Sequence, residues 1–257
     1  MMPHTAPPAT DPRARRPVAS GMTMTSFPDG GLAVVVGASG AIGGALEAAL
    51  RDDAAFAEVI GASRSGDPAL DLLDEASIAA AASAIAARGL DLRLVIDATG
   101  FLHGDGVMPE KSLRALDPGQ LARAFAVNAI GPALLMKHLL PLLPRTGKAA
   151  FATISARVAS LSENRLGGWY GYRASKTALN QMLRTAAAEI GRGRREALLV
   201  ALHPGHVESR LSAPFGSGGQ PTLSPDEAAA KLLAVLDGLG PADSGGFFDQ
   251  EGRPIPW

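Results

Sequence analysis

The chain of 257 residues contains no cysteine, which excludes disulfide bonds, thiolate metal ligands and cysteine nucleophiles. It also lacks an excess of either charge, since 24 Lys and Arg oppose 25 Asp and Glu to give a formal net charge of −1. Without a basic field to hold a polyanion, we expect no nucleic-acid partner. The missing cysteines also fit a reducing compartment, so we expect a cytoplasmic protein.

Long uninterrupted apolar runs are also scarce. The best candidate for a membrane span, residues 129–143, is broken by Pro132, Lys137, His138 and Pro141. We therefore expect no membrane-spanning helix. The first residues contain no continuous apolar segment, so the sequence does not predict a secretory signal either.

The first 28 residues differ in composition from the rest of the chain, since they combine six prolines with Arg13, Arg15 and Arg16. Such a segment cannot bury enough apolar surface to order itself, so residues 1–28 are predicted to form a disordered leader. A basic targeting arm is the alternative interpretation. The length of the remainder, residues 29–257, suits a single α/β domain.

From residue 32 onward, short apolar runs alternate with segments of helical periodicity. This alternation predicts an α/β fold, a single Rossmann-like domain with a doubly wound parallel sheet flanked by helices. The predicted strands are residues 32–36, 59–62, 70–72, 92–96, 148–154, 197–202 and 246–249. The predicted helices are residues 42–50, 75–88, 118–143 with Asp117 as N-cap, 171–190 and 224–239.

A glycine-rich turn joins the first predicted strand to the first helix. Glycines there let the backbone turn sharply and approach a pyrophosphate, whose charge the helix N-terminus then stabilises. The position after a buried strand and before a helix favours dinucleotide binding over a purely geometric role. The predicted cofactor-binding residues of this turn are Gly37, Ser39, Gly40, Ala41, Ile42 and Gly43.

Arg64 lies two residues after the end of the second predicted strand, and no carboxylate follows before Asp67. An acidic residue at this place would bond the ribose 2′-hydroxyl of NAD, whereas an arginine pairs with the 2′-phosphate of NADP. The sequence therefore favours NADP(H), with NAD(H) as the second choice. A solvated loop arginine is the alternative interpretation.

One of the two tyrosines, Tyr172, has Lys176 four residues on. On a helix this spacing places both side chains on one face. A nearby ammonium group favours the phenolate, so we expect the pKa of Tyr172 to be lowered. Tyr172 can then serve as general acid to a carbonyl oxygen, or as base to an alcohol.

Together these motifs resemble those of the short-chain dehydrogenase/reductase family, from about residue 32 to the C-terminus. The turn is similar to the family's Gly-x-x-x-Gly-x-Gly, with Ala41 in place of the middle glycine, and the pair is similar to its Tyr-x-x-x-Lys. Three further segments resemble the C-factor-like branch, which includes carbonyl reductases and a bacterial cell–cell signalling protein. They are residues 167–169, 245–249 and 255–257.

The resemblance implies roles for further polar residues. Asn128 falls inside the long predicted helix, where the family's asparagine holds a water that links the lysine to solvent. The family's catalytic serine corresponds to Ser155 only with a shift of one residue, because the expected position is Ala156. Ser160 is a second candidate for that serine.

The resemblance also implies the remaining contacts of the cofactor. The implied contacts are Asp71 and Leu72 near the adenine, Ala98, Thr99 and Gly100 after the fourth predicted strand, and Pro204, Gly205, Val207 and Ser209 over the nicotinamide.

Two histidines, His203 and His206, flank the turn formed by Pro204 and Gly205. Their spacing is not that of a metal site, so no metal is predicted.

The function that these features predict is hydride transfer between NADPH and a small carbonyl or secondary alcohol substrate. Tyr172, Lys176, Ser155 and Asn128 are the predicted catalytic residues. The alternative is a dinucleotide-binding, C-factor-like signalling or regulatory protein with weak turnover. The two long helices carry more apolar residues than one core face needs, and in relatives such helices pair, so we expect a homodimer or homotetramer.

Overall fold

The computed structural model describes residues 24–104, 106–219 and 221–257. Within these residues, six parallel strands form one sheet in the order β2-β1-β3-β4-β5-β8, and β6 pairs with β7 separately. The strands are β1 Gly31–Val36, β2 Phe56–Ala62, β3 Leu92–Asp97, β4 Ala149–Ile154, β5 Ala197–His203, β6 His206–Val207, β7 Thr222–Leu223 and β8 Gly246–Asp249.

Helices cover both faces of this sheet, which confirms the predicted doubly wound Rossmann-like fold. One apolar layer lies between the sheet and α1 and α6, and the other lies between the sheet and α2, α4 and α5. The helices are α1 Ala41–Arg51, α2 Glu75–Ala86, α3 Pro118–Phe125, α4 Gly131–Leu139, α5 Tyr170–Ile190 and α6 Pro225–Gly238.

The strand order has a topological switch point, because β1 pairs with β2 on one side and with β3 on the other. In open α/β sheets, ligands bind in the crevice beyond the carboxyl ends of the strands at such a point. Here that crevice is bordered by the residues that follow Val36 and Asp97, which end β1 and β3.

The predicted strand at residues 70–72 is wrong. Only a single bridge between Ser63 and Ala69 continues the sheet at this edge. The backbone N–H of Asp71 instead donates to the Ser77 hydroxyl, and its Oδ1 accepts from the N–H of Leu73. Side chains near the start of α2 therefore satisfy backbone groups that a strand would have used.

The predicted leader is too long at its C-terminal end. Met24 and Phe27 are buried, and the N–H of Met24 donates to the Asp53 carboxylate over 2.9 Å. Lys148 lies 4.5 Å from the centre of the Phe27 ring and also donates to the Ser26 hydroxyl. Apolar burial and these bonds order residues 24–28, while the rest of the predicted leader lies outside the described residues.

The predicted long helix forms as one helical run from Pro118 to Leu142 with a change of geometry in the middle. Its predicted cap is confirmed, since Asp117 accepts a hydrogen bond from the N–H of Gln120 over 2.8 Å. Between α3 and α4, residues Ala126–Ile130 form a π-helical turn, a feature common at functional sites. The run is apolar and long enough to cross a bilayer. It is partly buried in this structure, where it packs against the sheet and α5.

Candidate active site

The turn after β1 needs glycine at two positions for its backbone path. Gly37 adopts a φ of +84°, and a Cβ on Gly43 would overlap the Gly37 carbonyl, so both positions require glycine. The N-cap of α1 is Gly40, so no side chain caps the helix. The first turn of α1 also contains no acidic residue. Because Ala41 is exposed, its methyl group in the place of the family's middle glycine leaves the turn uncrowded.

Arg64 lies where the sequence placed it, just beyond the end of β2. Its side chain is exposed and makes no hydrogen bond or ion pair with any residue that the structure describes. Nearby, Leu72 is buried against Gly131 at the start of α4, and Asp71 is half-buried. Arg64 is therefore available to an anion at the rim of the crevice.

Asp97 organises the segment that follows β3. It is fully buried, and its carboxylate accepts from the Thr99 N–H over 3.0 Å, from the Thr99 hydroxyl and from the Thr153 hydroxyl over 2.7 Å. These three donors fix the path of residues 98–100. A Cβ built on Gly100 would lie 3.6 Å from the Lys176 Nζ, so this segment forms one wall of the candidate site.

Asn128 joins the π-helical turn to the segment after β3 and to α5. Its Oδ1 accepts from the N–H of Phe101 over 2.7 Å, and its Nδ2 donates to the carbonyl of Phe101 over 2.8 Å. The same Nδ2 donates to the hydroxyl of Ser175, which in turn donates to the carbonyl of Tyr172. The amide is satisfied by protein groups and holds the backbone around Tyr172 and Lys176 in place.

Lys176 is almost completely buried, and its Nζ donates to the Ile154 carbonyl over 2.7 Å and to the Thr99 carbonyl over 3.5 Å. Burial lowers the pKa of Lys176 to about 8, and the nearby Asp97 carboxylate opposes that shift. The ammonium group therefore titrates close to neutral pH.

Tyr172 lies one turn before Lys176 on the same face of α5 and is half-buried. The expectation that Lys176 would lower its pKa is wrong for this structure, because burial raises the pKa of Tyr172 to about 12. Lys176 directs its ammonium group to main-chain carbonyls, and the Tyr172 hydroxyl makes no hydrogen bond within the described residues. The phenol thus keeps its proton at neutral pH.

Ser155 lies at the end of β4, but its hydroxyl donates to the Asn180 Oδ1 over 2.7 Å. That bond uses its one proton, so the predicted donation to a substrate carbonyl would require the bond to break. The hydroxyl of Ser160 accepts from the Glu163 N–H, and Ala156 has no hydroxyl. Catalysis by Ser155 or Ser160 stays a prediction.

The Pro-Gly turn after β5 continues into a compact loop. Gly205 adopts a φ of +81°, and the carbonyl of Val207 accepts from the hydroxyl of Ser212. The Ser209 N–H donates to the same hydroxyl over 3.1 Å. Ser212 therefore ties two of the predicted cofactor contacts together, a role that the sequence did not indicate.

The sequence reasoning also missed the residues that shape the N-terminus of α5. Trp169 is left-handed, with a φ of +54°, and its N–H donates to the Glu110 carbonyl over 2.6 Å. The buried Glu110 carboxylate accepts from the Gly171 N–H over 3.1 Å, which satisfies one of the free amides of the helix. The unusual Gly-Gly-Trp sequence before the helix was the only signal of this arrangement.

A family comparison agrees with this geometry. A short-chain dehydrogenase model described as enoyl-(acyl carrier protein) reductase matches residues 37–231. The chain belongs to the short-chain dehydrogenase/reductase family. The match runs from the glycine turn through α5 into α6.

Individual relatives place the chain near the C-factor and carbonyl reductase branch of this family. It is 36% identical over 147 residues to the C-signal of Myxococcus xanthus, which is 57% of this chain and 84% of that protein. It is 31% identical over 191 residues to the 1-hydroxy-2-glutathionyl-2-methyl-3-butene dehydrogenase of a Rhodococcus strain, which is 74% of this chain and 80% of that protein.

Solved structures show the same fold. The NADPH-bound carbonyl reductase from chicken fatty liver superimposes with a TM-score of 0.74 at 25% identity, over 90% of this chain and all of that chain. A short-chain dehydrogenase/reductase from Burkholderia multivorans with bound NADP gives a TM-score of 0.69 at 25% identity, again over 90% and 100% of the two chains.

Proposed function

We propose that this oxidoreductase transfers a hydride between NADPH and a small carbonyl substrate, with Tyr172 as the proton donor to the carbonyl oxygen. The observation that carries the proposal is the state of the Tyr172 phenol. It is half-buried, has no hydrogen-bond partner among the described residues, and has a pKa raised to about 12 by burial. A phenol in this state keeps its proton at neutral pH, and no described residue competes for that proton.

The residues around the crevice fit a phosphorylated dinucleotide. Gly43 lets the start of α1 pack directly against the backbone of the glycine turn, and the uncapped N-terminus of α1 offers its backbone amides to a pyrophosphate. The exposed guanidinium of Arg64 suits the 2′-phosphate of NADP. Solved relatives with NADPH and NADP bound support the same choice of cofactor.

The chemistry divides between cofactor and protein. NADPH supplies the hydride when it is bound, and the protein orients the reactants and handles the proton. Tyr172 gives its hydroxyl proton to the carbonyl oxygen during reduction, or takes a proton from an alcohol at high pH. Lys176, held beside Gly100 by two main-chain carbonyls, places an ammonium group in the wall of this crevice.

The test is a screen of aldehydes, ketones and diketones in which NADPH consumption is followed by absorbance. We expect at least one carbonyl class to be reduced, with NADPH preferred to NADH. Matched measurements on the Tyr172→Phe variant separate catalysis from a contaminating reductase, because the variant keeps the fold and loses only the acidic oxygen.

A second candidate function is a dinucleotide-binding signalling protein with weak turnover. Two observations favour it: the similarity to the Myxococcus C-signal, and the Ser155 hydroxyl that is bonded to Asn180 while Ala156 occupies the family's serine position. A protein that binds NADPH but reduces nothing in the screen would support this function over the first.

A further inference from the structure

A row of aromatic rings leads away from the catalytic phenol. The Trp169 ring centre lies 6.2 Å from that of Tyr172 and 4.8 Å from that of Phe215, and the Phe215 ring lies 5.5 Å from that of His103. All three contacts are edge-on, the geometry that the ring quadrupoles favour. The four rings are each half-buried, so they present a continuous, partly open apolar surface beside the reactive hydroxyl.

The inner part of this surface is held by the backbone. Trp169 is the one non-glycine residue with positive φ that the described part of the chain contains. It follows Gly167 and Gly168, which also have positive φ, and its N–H is fixed by the Glu110 carbonyl. Strained conformations of this kind persist where the surroundings hold them and often mark functional sites.

The outer part of the surface belongs to the loop after the Pro-Gly turn. Within this loop, the Ala213 N–H donates to the Ser209 carbonyl and the Phe215 N–H donates to the Ser212 carbonyl. Residues 209–215 therefore form one compact, hydrogen-bonded unit that includes Phe215.

His103, in the segment after β3, holds this unit in place. Its Nε2 lies 3.0 Å from the Arg210 carbonyl and 3.1 Å from the Leu211 carbonyl. Carbonyl oxygens can only accept, so Nε2 carries the hydrogen and donates to the loop. The same imidazole packs edge-on against Phe215, so one side chain fixes both the loop backbone and its aromatic side chain.

We propose that His103 is a positioning residue that holds residues 209–215 so that Phe215 and Trp169 form an aromatic wall of the substrate pocket beside Tyr172. The wall favours carbonyl substrates that carry a flat apolar group next to the carbonyl over short alkyl ketones. This assignment of substrate class rests on the proposed reductase function, whereas the positioning role of His103 does not.

The positioning role is tested by fluorescence, because the chain has only two tryptophans. In a Trp257→Phe background, all tryptophan emission comes from Trp169. We expect His103→Ala to release the loop and shift the Trp169 emission to longer wavelength as Phe215 leaves its ring. His103→Gln keeps a side-chain N–H, so its Trp169 emission wavelength should lie between those of the Trp257→Phe background and of His103→Ala. His138 pairs with Glu75 and takes no part in this ring row, so His138→Ala is the matched control and should leave the Trp169 emission unchanged.

The substrate class is tested by kinetics on an aryl methyl ketone and a short alkyl methyl ketone. For His103→Ala and Phe215→Ala, we expect KM for the aryl ketone to rise on the order of tenfold, with kcat little changed. KM for the alkyl ketone should stay within about twofold. This split separates a lost wall contact from a general structural defect, which would lower kcat for both substrates.

Each outcome bears on a different claim. Unchanged Trp169 emission in His103→Ala overturns the positioning role, whether or not the enzyme is active. A shifted emission with equal changes in KM for both ketones overturns the substrate class and keeps the positioning role. A wild-type protein that reduces neither ketone nor any other carbonyl overturns the proposed reductase function, and the fluorescence result still decides the role of His103.

Discussion

Ser155 donates its hydroxyl hydrogen to the side-chain oxygen of Asn180 across 2.7 Å, and both residues are almost fully buried. The Asn180 amide nitrogen has no partner within the described residues, so this bond is the only one that its side chain makes there. The bond joins the end of β4 to α5, four residues after Lys176. This buried bond therefore stabilises the packing of α5 against the sheet.

Ser155→Ala is therefore expected to affect stability more than turnover. The change leaves the buried Asn180 oxygen without its donor, which costs about 1–3 kcal/mol of unfolding free energy. Carbonyl reduction should stay within a few-fold of the wild type once folded protein is compared. Denaturant unfolding and steady-state kinetics on the same preparations measure the two effects.

Ser160→Ala is the matched control for this prediction, since Ser160 is also buried but its hydroxyl accepts from the Glu163 N–H and donates to no described residue. A loss of turnover in Ser155→Ala as large as that of Tyr172→Phe, with stability unchanged, would instead make Ser155 the donor to the substrate.

Arg64→Asp is expected to weaken NADPH binding strongly and NADH binding little. The exposed guanidinium would be replaced by a carboxylate that repels the 2′-phosphate and suits a 2′-hydroxyl. Fluorescence titration with both cofactors measures the two affinities. Equal losses of affinity for NADPH and NADH would show that Arg64 does not bind the 2′-phosphate.

The Lys176 ammonium group lies beside Gly100 at the crevice and is expected to attract the anionic cofactor, so NADPH affinity should decline as pH rises above 8. Burial lowers the pKa of Lys176 to about 8, so the ammonium group loses its proton in this range, while the Asp97 carboxylate raises the value. Asp97→Asn removes that support, so the pKa of Lys176 falls further and the loss of affinity begins at lower pH. Dissociation constants measured from pH 6 to 10 test this, and superimposable profiles would contradict it.

The groove between α4 and α5 is expected to be the contact between subunits of a homodimer or homotetramer. Its walls are largely apolar, and Met182 on it is 38% exposed. Met182→Glu places a charge in the groove and should give a monomer with an intact fold. Light scattering at micromolar concentration measures the mass, and a wild-type monomer under these conditions would contradict the assembly.

The sequence predicted the parts of the site that depend on local pattern. Continuous apolar runs placed the parallel strands, glycine spacing placed the turn, and the four-residue interval put Tyr172 and Lys176 on one helical face. These features follow from periodicity and backbone geometry, which a single sequence carries.

The sequence did not predict what depends on three-dimensional neighbours. The pKa of Tyr172 follows its burial rather than its spacing from Lys176, because the ammonium group is directed to the Ile154 carbonyl. The edge-on ring contact of His103 with Phe215 likewise joins residues that lie more than a hundred positions apart in the chain. Tertiary contacts of this kind leave no periodic signal in the sequence.

The most direct test of the account is Tyr172→Phe, measured for both NADPH binding and carbonyl reduction. Removing only the phenolic oxygen should reduce turnover by a factor on the order of 10²–10⁴, the usual cost of a lost general acid. NADPH affinity should remain close to that of the wild type, which shows that the variant is folded. Full activity of Tyr172→Phe on a carbonyl that the wild type reduces would contradict the catalytic assignment.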